Sequence, residues 1–168
     1  PLDFEAPADA DRDNRYEVEI TADDGRSASS PLAVVIDLRD VNEAPVLTSA
    51  ASSAAPENGT TTGYVARARD PEGTPVRFGL SGPDGAAAAI DAAAAALALT
   101  APLDFEAPSD ADRDGTLDLV VSATDGALTS TLALAVRVTN LDEPPTFSGT
   151  LTGTVAENAR RTSARAGA

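Results

Sequence analysis

The side chains with chemistry to offer in this chain are carboxylates, and they come in short groups. Asp3 and Glu5 form one, Asp9, Asp11 and Asp13 another, and Asp40, Asn42 and Glu43 a third. Glu57, the pair Asp70 and Glu72, and Asp104 with Glu106 follow, then Asp110, Asp112 and Asp114, then Asp125, and finally Asp142 with Glu143. The 27 acids face 12 basic residues, all Arg, for a formal charge of −15. With no His and no Cys there is no imidazole base, no thiolate and no nitrogen or sulfur ligand set, so triad catalysis is excluded. The negative charge repels phosphate backbones and anionic head groups, which argues against nucleic acid as a partner. No run of about 18 apolar residues marks a transmembrane segment. Acidity also serves solubility, and what favours a ligand role is the clustering. Grouped carboxylates repel one another unless a cation neutralises them, and calcium takes six to eight oxygen ligands of this kind. A small module without disulfides often leans on such a metal.

These groups recur at a fixed spacing. Residues 1–25 and 102–126 match without gaps at 15 of 25 positions. Residues 40–45, DVNEAP, return as NLDEPP at 140–145, and PEN at 56–58 returns as AEN at 156–158. Three unlike segments repeating in one order at an offset of 100 or 101 indicate tandem duplication. The expected organisation is the back part of one repeat at 1–43, a complete repeat at 44–143 and the start of a third at 144–168. The missing Met and the out-of-phase ends read the chain as a piece of a longer array, and the third piece, short of its acidic partners, is not expected to fold.

The elements that must position the acids read as strands. Tyr16, Val18, Ile20 and Ala22 alternate with polar residues, as do Leu117, Leu119, Val121 and Ala123. Leu32, Val34, Ile36 and Leu38 repeat the pattern, with Leu132, Leu134, Val136 and Val138 as counterparts. Period two with one apolar face predicts half-buried strands, and further strands are expected around Tyr64, Ala66 and Ala68 and around Val76, Phe78 and Leu80. Gly and Pro clusters lie between these runs, so the fold class is all-β, tandem Ig-like Greek-key sandwiches of about 100 residues each. Residues 86–99, AAAAIDAAAAALAL, favour helix by propensity, but a sandwich requires a hairpin there around Ile90 and Leu97, with a single helical turn at most. Alanines in that stretch imply a thin core.

The ordered motifs resemble those of tandem cadherin repeats of the bacterial type. Pro56-Glu57-Asn58, Asp70-Pro71-Glu72, Leu103-Asp104-Phe105-Glu106, Ala123-Thr124-Asp125-Gly126 and Asn140-Leu141-Asp142-Glu143-Pro144-Pro145 stand in the family's order, and the first piece supplies Leu2-Asp3-Phe4-Glu5, Ala22-Asp23-Asp24-Gly25 and Asp40-Val41-Asn42-Glu43-Ala44-Pro45. The resemblance implies calcium (Ca2+) at the junctions between modules. It assigns Asp3, Glu5, Asp40, Asn42, Glu43, Asp70, Glu72 and Asp125 to the first junction. Glu57, Asp104, Glu106, Asp142 and Glu143 go to the second, and Glu157 belongs to a third. Asn140 stands where the family has Asp, which removes one charge, so weak binding is expected, about 10⁻⁴ to 10⁻³ M.

The loops at Asp9, Asp11, Asp13 and at Asp110, Asp112, Asp114 open like calcium loops, but Val121 occupies the position of the closing Glu, so a complete EF-hand is excluded. They stand as candidate extra calcium loops or as exposed Asx turns, with Arg12 and Arg113 as alternative partners for the acids. The expected function is a non-catalytic, calcium-rigidified segment of an extracellular or cell-surface adhesin. Its partners would be neighbouring modules of its own chain, like modules on another cell, or a polysaccharide. A calcium-dependent carbohydrate-binding module is the alternative.

Overall fold

The computed structural model describes residues 2–145 and residue 157. The beginning of the third repeat and its expected failure to fold lie outside the described residues, apart from Glu157 in an exposed turn. Two strands, β1 (Arg15–Ile20) and β2 (Leu32–Asp37), form an antiparallel hairpin. Nine more follow: β3 (Val46–Leu47), β4 (Ser52–Pro56), β5 (Thr61–Val65), β6 (Ala68–Arg69), β7 (Arg77–Ser81), β8 (Ala88–Ile90), β9 (Ala96–Leu99), β10 (Thr116–Thr124) and β11 (Thr129–Thr139). No α-helix occurs among the described residues, and none of their elements is a helix long and apolar enough to cross a membrane.

One sheet runs β4-β11-β10-β7, and facing strands run β5-β9-β8, with the short pair β3-β6 beside them. The first strand segment of the module is split. β3 pairs antiparallel with β6, after which the chain crosses over and β4 joins β11 in parallel, Ser52 opposite Ala135 and Pro56 opposite Thr139. The hinge lies at Thr48 and Ser49, whose amides both bond to the Arg67 carbonyl. This pairing interrupts the strand expected over Tyr64, Ala66 and Ala68, because residues 66 and 67 turn their backbone groups to Ala95 and to Thr48 and Ser49 instead.

Alternation works as the sequence pattern demands. Leu117, Leu119, Val121, Leu134 and Val136 are at most 2% exposed and meet Tyr64, Leu97 and Leu99 from the facing strands. Five of the fourteen buried apolar residues are alanine, so less area is removed from water than larger side chains would remove, and stability must lean on other contributions. In the β1–β2 hairpin the counterparts stand open: Val18 is 41% exposed and Ile20 54%, against 2% and 0% for Leu119 and Val121.

The alanine-rich stretch is a hairpin, as the sandwich requires. One 3₁₀ turn at Gly85–Ala87 leads into β8, and β8 pairs with β9, Ile90 opposite Leu97. Asp91 accepts the amides of Ala93 and Ala94 at 2.9 and 2.5 Å, and Ala95 takes a left-handed φ of 57°. That local Asx turn, with Leu97 and Leu99 buried, outweighs the helix propensity of the alanines.

Candidate metal centre

Strand ends carry the acids because a carboxylate on the inner face of a strand would lose its hydration. At the first junction three separate segments converge. Glu5 comes from the turn before β1, Glu43 from the connection after β2, and Glu72 from the turn after β6; each offers an oxygen within 4.8 Å of the others. The Glu43 amide donates to Glu72 Oε1 at 3.0 Å, and the Asn42 amide donates to Asp125 Oδ2 at 2.8 Å, so the connection is tied to two loops of the module. Asp70 is 5% exposed; one oxygen accepts the Thr74 amide at 2.9 Å, and the other, with Glu72 Oε2, is buried without a hydrogen-bond partner. Asp3 accepts the amides of Glu5 and Ala6, both at 3.1 Å, and Asp40 contributes charge against Glu5 and Glu43.

Ionisation reports the crowding. The Glu43 carboxyl is pushed up to about 7, first by its hydrogen bond to Glu72, then by burial and by the Glu5, Glu72 and Asp40 charges. That same hydrogen bond holds Glu72 below its ordinary value. Glu5 is raised by burial, with Asp40, Glu72 and Asp3 adding to it. One carboxyl protonated beside one held ionised is how like charges share a site when nothing else neutralises them.

At the second junction Glu57, Glu106 and Glu143 form the corresponding group. Glu57 is 2% exposed and accepts the Phe105 and Leu141 amides, each at 2.7 Å, which hold its carboxyl below the ordinary value. Asn140 donates to Glu106 at 2.5 Å and Asn58 to Glu143 at 2.6 Å. Burial, then the charges of Glu57, Glu143 and Asp104, push Glu106 up. Asp104 accepts the Glu106 and Ala107 amides at 2.9 and 3.1 Å, repeating Asp3, and Asp142 lines the same open cleft of about 470 Å³.

The two Asp-rich loops form groups of their own, separate from the junction groups. They are built alike. Asp9 accepts the Asp13 amide and Asp110 the Asp114 amide, both at 2.8 Å, and Arg12, Asn14, Arg113 and Gly115 all take left-handed φ. Arg12 and Arg113 pair with none of these acids; the ion pair found among the described residues is Arg15 with Asp37, at 3.0 Å on the surface. Both arginines sit on exposed, left-handed loop tips, where an ion pair gains little.

No family model matches the chain, and no curated protein sequence does either. Solved structures do. Mouse cadherin-23 EC22-24 superposes with a TM-score of 0.54 and 25% identity, over 83% of this chain and 45% of that one. The protocadherin GammaB4 extracellular domain gives 0.52 and 25%, over 84% and 22%, and human protocadherin-24 EC1-2 gives 0.51 and 23%, over 59% and 44%. This chain carries cadherin-like repeats. It spans less than half the length of each of those three structures.

Within the cadherin-like repeat two features escape the sequence motifs. Asp84, 7% exposed, accepts the Ala111 and Asp118 amides, both at 2.7 Å, and pins the second Asp-rich loop to the start of β10. Its only signal is an acid inside the turn SGPDG. Asn58 belongs to the PEN segment, but its donation to Glu143 spans 85 residues and has no local signature.

Proposed function

We propose that the chain is a calcium-binding, non-catalytic segment of an extracellular or cell-surface adhesin, in which calcium held between module ends fixes the angle of the connection. Glu5, Asp40, Asn42, Glu43, Asp70, Glu72 and Asp125 would hold the ion or ions of the first junction, with Asp3 at its edge. Glu57, Asp104, Glu106, Asp142 and Glu143 would serve the second. The donors are all oxygens, the set hard divalent cations prefer, and calcium would supply the positive charge and the six to eight coordination positions these oxygens leave open.

The observation that carries the reading is Asp70. A carboxylate oxygen buried without a partner is costly, and here it lies in a turn whose neighbour Glu72 also has a partnerless buried oxygen and meets Glu5 and Glu43 from two other segments. Because the ligands come from both sides of the connection, an ion is held only when the two sides align. Similarity to cadherin-23 and protocadherin extracellular structures supports an adhesion-type module acting outside the cell or on its surface. Neighbouring repeats are the immediate partners, and a bacterial adhesin in which these modules space or present an adhesive surface is the setting the acidic, Cys-free composition suits.

Calcium titration of the whole chain by calorimetry tests this. Saturable binding at or below about 1 mM, with a higher melting temperature at saturation, is the expected result. No heat and no thermal shift at 10 mM calcium rejects the reading.

A further inference from the structure

The two junctions differ in one respect that their acids alone do not reveal. The Glu57, Glu106 and Glu143 group contains two side-chain amides: Asn140 engages Glu106 at 2.5 Å and Asn58 engages Glu143 at 2.6 Å. The remaining member, Glu57, already accepts two backbone amides. Every carboxylate of that group therefore has a donor. At the first junction the side-chain amide of Asn42 goes to Asp125, outside the Glu5, Glu43 and Glu72 group, and Asp40 occupies the repeat position of Asn140.

An amide N–H brings a fixed partial positive charge to a carboxylate, satisfies a lone pair and relieves part of the like-charge repulsion. A cation must displace that donor before it can take the oxygen, and then finds a neutral amide oxygen where an Asp would offer a full charge. We propose that Asn140 and Asn58 stand in for part of the cation charge, so that the second junction keeps its local geometry when calcium is scarce and takes calcium more weakly than the first. The two junctions are then graded, the first switched by calcium and the second partly set by its own amides. This rests on reading both junctions as calcium sites.

Asn140→Asp in the whole chain tests it, measured beside the unaltered protein and Asp40→Asn. In chelator the new carboxylate faces Glu106 without its hydrogen bond, and the melting temperature falls. In 10 mM calcium the order reverses, with Asn140→Asp melting at or above the unaltered chain, and calorimetry shows the weaker class of sites tightened about tenfold, the scale by which ligand charge tunes such sites. Asp40→Asn weakens the tighter class and leaves the weaker one unchanged. An Asn140→Asp chain that melts lower by the same amount in chelator and in calcium, with unchanged affinities, overturns the inference while leaving the junctions as calcium sites. An unaltered chain that binds no calcium removes the underlying reading itself.

Discussion

Replacing Asp70 with Asn separates a calcium ligand from an ordinary buried acid. The side chain is 5% exposed, its first oxygen holds the Thr74 amide at 2.9 Å, and its second has no partner. Asn keeps the shape and the bond to Thr74 and removes the charge. Leaving a buried polar atom unsatisfied costs about 1–3 kcal/mol, so relieving the carboxylate is worth about 1 kcal/mol in chelator. For a repeat of this size that raises the melting temperature by about 4–8 °C. Calcium reverses the sign. With a dissociation constant of 10⁻⁴ to 10⁻³ M, 10 mM calcium stabilises the original chain by about 1.4–2.7 kcal/mol per ion. A site weakened on the order of tenfold by loss of one ligand forfeits about 1 kcal/mol of that. Differential scanning calorimetry in chelator and in 10 mM calcium reads both effects: Asp70→Asn gains at least as much as it loses only in chelator, and its calcium-induced shift is smaller by about 4–8 °C. Equal calcium-induced shifts for the two proteins would refute the assignment of Asp70 as a ligand.

Stability in chelator should fall as pH rises from 5 to 8. Glu43 binds its proton up to about 7 in the folded chain against 4.5 when unfolded, so its contribution is fully present below 4.5 and lost through about 7, with Glu5 and Glu106 raised in the same direction. Saturating calcium should flatten this slope by displacing the proton, and a pH-independent melting temperature in chelator would contradict the crowding described. Asp84→Ala removes two charge-assisted bonds to the Ala111 and Asp118 amides and should cost about 2–4 kcal/mol, read as a lower urea midpoint that is the same with and without calcium. A change below about 0.5 kcal/mol would mean that the loop does not depend on Asp84.

Much of this was legible in the sequence because two periodicities coincide. The period of two in Leu117, Leu119 and Val121 places them at 1%, 2% and 0% exposure. The period of about 100 assigns the same roles twice. Acidic groups were legible for a related reason, since a charge excluded from strand faces collects in turns such as those of Asp70, Asp104 and Asp110. What stayed hidden depends on long-range pairing. The break at residues 66 and 67 arises because Thr48, Ser49 and Ala95 claim those backbone groups, and no local residue announces it. Asn58 and Asn140 read as a motif letter and as a lost charge; only their distances to Glu143 and Glu106 make them donors inside an acidic group. Asp84 sits in a turn that resembles any exposed turn until Ala111 and Asp118 close over it. Arg12 and Arg113, adjacent in sequence to acids, were plausible counterions, yet both stand at exposed loop tips apart from them.

The absence of cysteine allows the central claim to be tested without background labelling. Cysteines replacing the exposed Glu19 on β1 and Thr131 on β11 would carry a pair of spin labels across the first junction. Pulsed dipolar spectroscopy then gives the distance distribution between them. The account predicts a broad distribution in chelator that narrows to one peak at 10 mM calcium, and broadens again when Asp40 and Glu43 are changed to Asn and Gln. A distribution of the same width with and without calcium would contradict it.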